Sequence, residues 1–69
     1  MATEIDQPDG STTVIERNEN GSHVLHHRNA DGSRTEGPQY GAGTPLNEII
    51  RQWTTQGGRL RERQAEYPK

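Results

Sequence analysis

The sequence contains no cysteine and no phenylalanine, and only 25% of its 69 residues are hydrophobic. The lack of cysteine excludes disulfide bonds and thiolate metal sites, which many small proteins use to compensate for a thin core. With so few large apolar side chains, the free energy gained by burial barely balances the entropy lost on folding. We therefore expect one small domain whose core is completed by a second copy of the chain, most simply in a homodimer.

Long hydrophobic runs are also missing from the chain. No apolar stretch approaches the roughly 18 residues of a membrane-spanning helix. The first residues lack the basic and apolar regions of a secretion signal. These absences predict a cytoplasmic protein that has no membrane partner.

Residue patterns that are typical of catalysis are absent as well. There is no cysteine nucleophile, no serine in a nucleophile-elbow context and no phosphate-binding loop followed by lysine. The segment Gly41-Ala42-Gly43-Thr44 offers an anion free backbone N–H groups at a predicted helix start, but a linker followed by a helix cap explains it better. The sequence thus favours a protein that is not an enzyme and that binds no cofactor.

What the sequence does contain is a turn that recurs three times at a spacing of eleven residues, in Asp9-Gly10-Ser11, Asn20-Gly21-Ser22 and Asp31-Gly32-Ser33. Asp-Gly and Asn-Gly readily adopt the positive φ angles of tight turns between antiparallel strands. We predict a three-stranded antiparallel β-meander over residues 9–37, preceded by a flexible arm or weak edge strand over residues 1–8. The strands are expected at about 11–18, 22–29 and 33–37.

The register of this meander depends on the length of its second turn. The first two predicted strands each contain two neighbouring apolar residues, Val14-Ile15 and Val24-Leu25, which must point to opposite faces of the sheet. A two-residue turn places Ile15 opposite His26, whereas a three-residue turn places Ile15 opposite Leu25. The sheet is then either small and exposed with a loose register, or covered by a helix on one face and by a second subunit on the other.

A meander of three strands has two open edges. Pro38 protects the edge formed by the third strand, because proline has no N–H to offer a neighbour. The first strand is less guarded, and we expect it to accept a strand from a partner or from a second copy.

A loop over residues 38–44 precedes the strongest helix pattern in the chain. Thr44 is a good N-cap, Pro45 suits the first helical position, and Glu48 lies in the first turn, where the helix dipole favours an anion. Four apolar residues follow at the i, i+3, i+4 and i+7 spacing of one helix face. These residues are Leu46, Ile49, Ile50 and Trp53.

Gly57-Gly58 predicts that this helix ends near Gln56, because two interior glycines cost about 2 kcal/mol relative to alanine. The apolar spacing of seven nevertheless continues to Leu60 and Tyr67, and residues 59–66 are good helix formers. Residues 45–69 are therefore expected to form a C-terminal helical segment. It contains either a break and a second short helix, or one long bent helix that pairs with a copy of itself.

The predicted fold class is therefore α+β, in a single domain. A three-stranded antiparallel meander is followed by an amphipathic helix that lays its apolar face on the sheet.

Three histidines are weak candidates for a metal site, since imidazole binds Zn, Cu or Ni. On a strand, His23 and His27 share one face, but their Cα atoms are ~13 Å apart, too far to share one ion. His26 points to the other face. Cross-strand pairing, for example of His27 with Glu36, is the simpler interpretation, and a metal site at a subunit interface is the alternative.

Charge is distributed unevenly along the chain. Residues 1–44 carry seven acidic residues against three arginines, whereas residues 45–69 carry three acidic and five basic residues, for a net charge of −2. The basic segment supplies candidate partner-binding residues together with an aromatic side chain that is able to stack on a base. These candidates are Trp53, Arg51, Arg59, Arg61 and Arg63.

The leading functional hypothesis is a non-enzymatic protein-interaction module, a small regulatory or inhibitory adaptor that self-associates and binds another protein. Nucleic-acid binding through the C-terminal arginines is a second hypothesis. It is less favoured, because Glu62 and Glu66 dilute the basic patch and the chain as a whole is acidic.

Overall fold

The computed structural model describes residues 2–62, which form a five-stranded antiparallel sheet and one helix. The fold is therefore α+β. Along the sheet the strands lie in the order β4-β3-β2-β1-β5, so that β4 and β5 are its edges. The elements are β1 (Thr3–Asp6), β2 (Thr12–Arg17), β3 (His23–Arg28), β4 (Arg34–Tyr40), the helix α1 (Leu46–Thr54) and β5 (Arg59–Glu62).

One type of turn joins β1 to β2, β2 to β3, and β3 to β4. In each turn the N–H of the residue before the three-residue loop bonds to the serine carbonyl after it, at 2.8–2.9 Å. The loop ends with a glycine at φ of 87–92°, the left-handed conformation that glycine adopts without strain. The Asp or Asn of the loop accepts hydrogen bonds from the backbone N–H and the hydroxyl of the serine. The repeat of eleven residues is thus a repeat of one hairpin turn.

This three-residue turn sets the register of the sheet. It places Ile15 opposite Leu25 and Glu16 opposite Val24. The three-residue alternative of the sequence is therefore the one that the chain adopts, and the two largest aliphatic side chains of β2 and β3 lie on the same face.

The core lies between this face and the helix. Ile5, Ile15 and Leu25 from the sheet and Ile49 from α1 are each at most 2% exposed. The partly buried side chains around them belong to Tyr40, Leu46, Ile50 and Trp53. The predicted apolar face of the helix does pack on the sheet, and no helix in residues 2–62 is long and apolar enough to cross a membrane.

The prediction of three strands is wrong, because the sheet gains one strand from each end of the described chain. Residues 3–6, expected in a frayed arm or weak edge strand, form β1 in the interior of the sheet, and Ile5 is fully buried. The edge of β2 that was expected to be open is therefore occupied. One isolated apolar residue is too weak a pattern to reveal such a strand.

The second short helix is also wrong over its first residues. Arg59–Glu62 form β5, which pairs antiparallel with β1. Gly57, at φ 98°, follows the end of α1 and lets the chain reverse toward the sheet. Pairing with β1 overrides the helix propensity of this segment. Residues 63–69, including Arg63 and Tyr67, lie outside the described residues.

The helix boundaries differ slightly from those predicted. The N-cap is Pro45, in an extended conformation and without a side-chain cap, rather than Thr44. The helix ends at Thr54, just before the predicted break at Gly57-Gly58. The loop expected at 38–44 begins later, because β4 extends to Tyr40.

The extension of β4 contains a bulge. The register of β3 and β4 shifts so that two residues, Gly37 and Pro38, lie opposite Leu25. A Cβ atom on Gly37 would lie 2.5 Å from Leu25 Cδ2. The glycine therefore leaves room for the side chain of Leu25. Glycine is required at this position by packing and not by turn geometry.

The burial of Ile5 makes β1 a structural strand rather than an arm. We expect Ile5→Ala to lower the free energy of unfolding by about 2–5 kcal/mol through lost burial and a residual cavity. Its neighbour across the sheet, Leu60, is 45% exposed, so Leu60→Ala should cost less than about 1 kcal/mol. Urea denaturation of the two variants measures both values.

Equal losses in the two variants would contradict the placement of β1. An Ile5→Ala variant that does not fold, beside a Leu60→Ala variant that does, agrees with this placement.

Candidate functional site

A groove of about 560 Å³ opens between the C-terminal end of α1 and the sheet. The first turn, the strands β3 and β4, and the residues at the end of the helix form its walls. We call it the Trp53 groove, and its lining residues are Gln7, Pro8, Asp9, Ser11, His27, Asn29, Thr35, Gln52, Trp53 and Gln56.

The aromatic part of the groove is Trp53, which α1 directs toward the sheet because it lies seven residues after Leu46 on the apolar helix face. Its indole Nε1 donates a hydrogen bond to the Tyr40 hydroxyl at 3.0 Å, and that hydroxyl donates to Gln52 Oε1 at 3.0 Å. The ring centroid lies 5.0 Å from that of His27, at an interplanar angle of 59°. These contacts fix the indole ring while leaving it only partly buried.

Beneath Trp53, a chain of hydrogen bonds holds His27. Gln7 Nε2 donates to Thr13 Oγ1 at 2.9 Å, and Thr13 Oγ1 lies 3.0 Å from His27 Nδ1. The Thr13 hydroxyl can donate a hydrogen bond to His27 Nδ1 while it accepts one from Gln7, because a hydroxyl has one donor and two acceptor sites. We therefore expect the tautomer of His27 in which the ring proton is on Nε2.

Gln7 also ties the helix to the sheet, because its Nε2 donates to the Trp53 carbonyl at 3.0 Å. In the eleven-residue repeat, Gln7 corresponds to Asn18 and Asn29, which instead bond to the serine of their own turns at 3.0 Å. The longer side chain reaches out of the turn to the helix. Sequence reasoning missed this residue, although its departure from asparagine at a repeated position is the signal that distinguishes it.

The acidic group of the groove is Asp9. The hydrogen bond from the Ser11 side chain holds the pKa of Asp9 below its ordinary value, and the backbone N–H of Ser11 lowers it further. A lowered carboxyl pKa keeps the group ionised at neutral pH and into the acidic range. The groove therefore carries a fixed negative charge on its rim.

Amide side chains supply hydrogen-bonding groups that the fold leaves unused. Within the part of the chain that the structure describes, Gln52 bonds only through its Oε1 atom, and Gln56 makes no side-chain hydrogen bond. An amide both donates and accepts. These two residues can therefore pair with a peptide-like ligand along the helix side of the groove.

The arginines predicted to form one basic patch are divided by the fold. Arg51 is exposed on α1, whereas Arg59 and Arg61 lie on β5. The guanidinium of Arg61 pairs with Asp6 and lies 3.5 Å from Glu4, which also pairs with Arg28 at 3.2 Å. Of the candidates, Trp53 alone lines the groove, and Arg63 lies outside the described residues.

Those ion pairs belong to the face of the sheet opposite the helix, which we call the charged face. Its positive and negative side chains alternate and pair with one another above Val14, which is 5% exposed. Among residues 2–61, its charged and titratable residues are Glu4, Asp6, Glu16, His26, Arg28, Arg34, Glu36, Arg59 and Arg61.

The histidines occupy different environments. His23 and His27 point toward the helix side and His26 toward the charged face, as expected for a strand. Burial lowers the pKa of His23, and Arg17 lowers it further, so this ring is neutral at pH 7. The register pairs His26, not His27, with Glu36, which corrects the suggested contact. No cluster of three or more metal-binding side chains occurs among residues 2–62.

Comparison of the chain with protein-family models, with curated proteins and with solved structures finds no significant match.

The hydrogen-bond chain under Trp53 is tested by Thr13→Val, which removes the hydroxyl while keeping the shape of the side chain. We expect a loss of about 1–3 kcal/mol of stability, because His27 Nδ1 loses its partner. In the unchanged protein, ¹⁵N NMR of the imidazole should show the proton on Nε2, and this preference should weaken in the variant.

Thr12→Val is the matched control, since Thr12 is also buried, at 7% exposed against 0% for Thr13, but faces the other side of the sheet. Equal effects of the two substitutions, or a proton on Nδ1 of His27, would contradict this arrangement.

Proposed function

We propose that this protein is a non-enzymatic protein-interaction module, an adaptor whose Trp53 groove binds a segment of a partner protein that carries a lysine or arginine side chain. The observation that carries the proposal is that a partly exposed tryptophan ring and an ionised carboxylate, Trp53 and Asp9, line the same groove.

The pairing of these two groups suits a cation. The face of an indole ring attracts Lys or Arg through its quadrupole, by about 0.5–2 kcal/mol depending on desolvation. A carboxylate adds a charge-assisted hydrogen bond, which is stronger than a neutral one. In Asp9 one oxygen, Oδ1, accepts both bonds from Ser11, which leaves Oδ2 for a ligand.

The remaining walls favour a peptide over a more apolar ligand. The side chains of Gln52 and Gln56 offer donors and acceptors that match backbone amide groups. The indole is fixed in advance by Tyr40 and His27, so little entropy is lost when a ligand packs on it. A short extended segment with one basic side chain uses all of these features.

The titratable groups of the groove support binding rather than catalysis. His27 Nδ1 is held by Thr13, and Asp9 is held by Ser11 in the neighbouring turn. Within residues 2–62 no hydrogen bond or ion pair joins Asp9 to His27, so the carboxylate does not orient the imidazole as it would orient a general base. Their arrangement stabilises the walls of the groove.

Asp9→Asn tests the proposal, since the chain itself shows that asparagine preserves this turn. Asn20 accepts from Ser22 N and Oγ at 3.0 and 2.6 Å, much as Asp9 accepts from Ser11 at 2.8 and 2.6 Å. The variant therefore keeps the turn and removes the charge. We expect it to bind a blocked Gly-Arg-Gly peptide about tenfold more weakly than the unchanged protein does. Trp53 fluorescence and amide chemical shifts measure the binding.

The matched control is Asp31→Asn, the same change in the same type of turn but outside the groove. Asp31→Asn should leave the affinity for the Gly-Arg-Gly peptide unchanged. A blocked Gly-Gln-Gly peptide, which lacks the cation, should bind weakly to both Asp31→Asn and the unchanged protein. Equal affinity of Asp9→Asn and the unchanged protein, or equal binding of the two peptides, would contradict the proposal.

A further inference from the structure

The edge strand β4 offers an interaction surface that the groove does not use. Its first three residues, Arg34, Thr35 and Glu36, are all exposed. The helix lies nearest β1 and β5, toward the opposite edge of the sheet. Another strand can therefore approach β4 in the plane of the sheet without meeting α1.

The direction of the free backbone groups follows from the third turn. Asn29 N bonds to Ser33 O at 2.8 Å, and hydrogen-bonded pairs alternate with non-hydrogen-bonded pairs in an antiparallel ladder. Thr35, opposite His27, therefore bonds to β3. The N–H and C=O groups of Arg34 and Glu36 point outward, away from the sheet.

The rest of this edge is closed to pairing. The bulge at Gly37 and Pro38 breaks the regular ladder immediately after Glu36, and proline has no N–H to offer a neighbour. Bulges and prolines are common protections of an edge strand. The open part is thus the segment of three residues from Arg34 to Glu36. Its outward N–H and C=O groups are those of Arg34, which is a cation, and Glu36, which is an anion.

We propose that two copies of this chain pair through these segments, antiparallel, about a two-fold axis at Thr35. In this register Arg34 of one copy lies opposite Glu36 of the other, and the two exchange both backbone hydrogen bonds. Both side chains point to the charged face, where Arg34 Nε already contacts Glu36 Oε2 within the chain. The four charges form a square in which every neighbour has the opposite sign.

Neighbouring registers are disfavoured by the same charges. If the axis moves by one residue to Glu36, the Glu36 residues of the two copies lie opposite one another. If it moves to Arg34, the two Arg34 residues do. Like charges directly opposite one another destabilise a strand pair. The sequence of this edge therefore selects one register, with Thr35 opposite Thr35 on the other face.

Such a dimer joins two five-stranded sheets into one, with both helices on the same side. Because Thr35 also lines the Trp53 groove, the two grooves then lie on either side of the axis. Only four backbone hydrogen bonds cross the interface, so we expect a weak dimer of the size class that forms transient complexes. The inference does not depend on what the groove binds.

Substitutions that reverse the charges of Arg34 and Glu36 test the inference. Sedimentation equilibrium from about 10 µM to about 1 mM protein measures dimerisation. We expect the unchanged chain to dimerise, and Glu36→Arg alone and Arg34→Glu alone each to weaken dimerisation at least about tenfold. An equimolar mixture of these two variants should dimerise again, because every cation then faces an anion. The chain carrying both substitutions should do so as well.

Glu19→Arg is the matched control, since it makes the same change in charge on an exposed turn and should leave dimerisation unaltered. Amide exchange gives a second readout. The N–H groups of Arg34 and Glu36 should become protected as concentration rises, whereas the N–H of Thr35 should not change.

A chain that stays monomeric over this range would overturn the inference. So would a dimer that survives Glu36→Arg, or a mixture of the two variants that does not associate.

Discussion

The hydrogen bonds from the serine of each turn to the aspartate or asparagine two residues earlier define the geometry on which the rest of this small protein depends. They stabilise a three-residue loop with a glycine at positive φ, three times over. A loop of this length sets Ile15 opposite Leu25. A one-residue slip would carry every side chain of a strand to the other face. The repeat thus gathers the few aliphatic residues on the helix side and leaves charge on the other, and with so thin a core this separation is what lets the chain fold.

The turns, the meander and the helix could be predicted because their signals are local. Asp-Gly and Asn-Gly specify a hairpin within a few residues, and Leu46, Ile49, Ile50 and Trp53 specify a helix face. The strands β1 and β5 could not be predicted in the same way. β1 has a single apolar residue, Ile5, so the turn that joins it to β2 was not enough to reveal a strand before it. β5 consists of good helix formers and becomes a strand by pairing with β1, at the other end of the described chain.

The candidate site also contains one residue that the sequence indicates and several that it does not. Trp53 could be selected from the sequence as a large aromatic residue on the helix, and it does line a groove. Its neighbours Gln7, Asp9 and His27 come from segments that local patterns assign to an arm, a turn and a strand. Only the assembled sheet brings them together. The arginines were grouped because they are close in sequence, but a strand and a helix carry them to different parts of the molecule.

The register of β2 and β3 is the central claim, since the core, the charged face and the groove all follow from it. Because Asn18 bonds to Ser22, the pair Ile15 and Leu25 is non-hydrogen-bonded, and its Cα atoms should be about 4.5 Å apart. The most direct measurement is therefore a cross-strand nuclear Overhauser effect between the Hα atoms of these residues. We expect a strong Ile15–Leu25 contact. A two-residue turn would instead make Glu16 and Leu25 the close non-hydrogen-bonded pair, so a strong Glu16–Leu25 contact in place of the Ile15–Leu25 contact would contradict the three-residue turn.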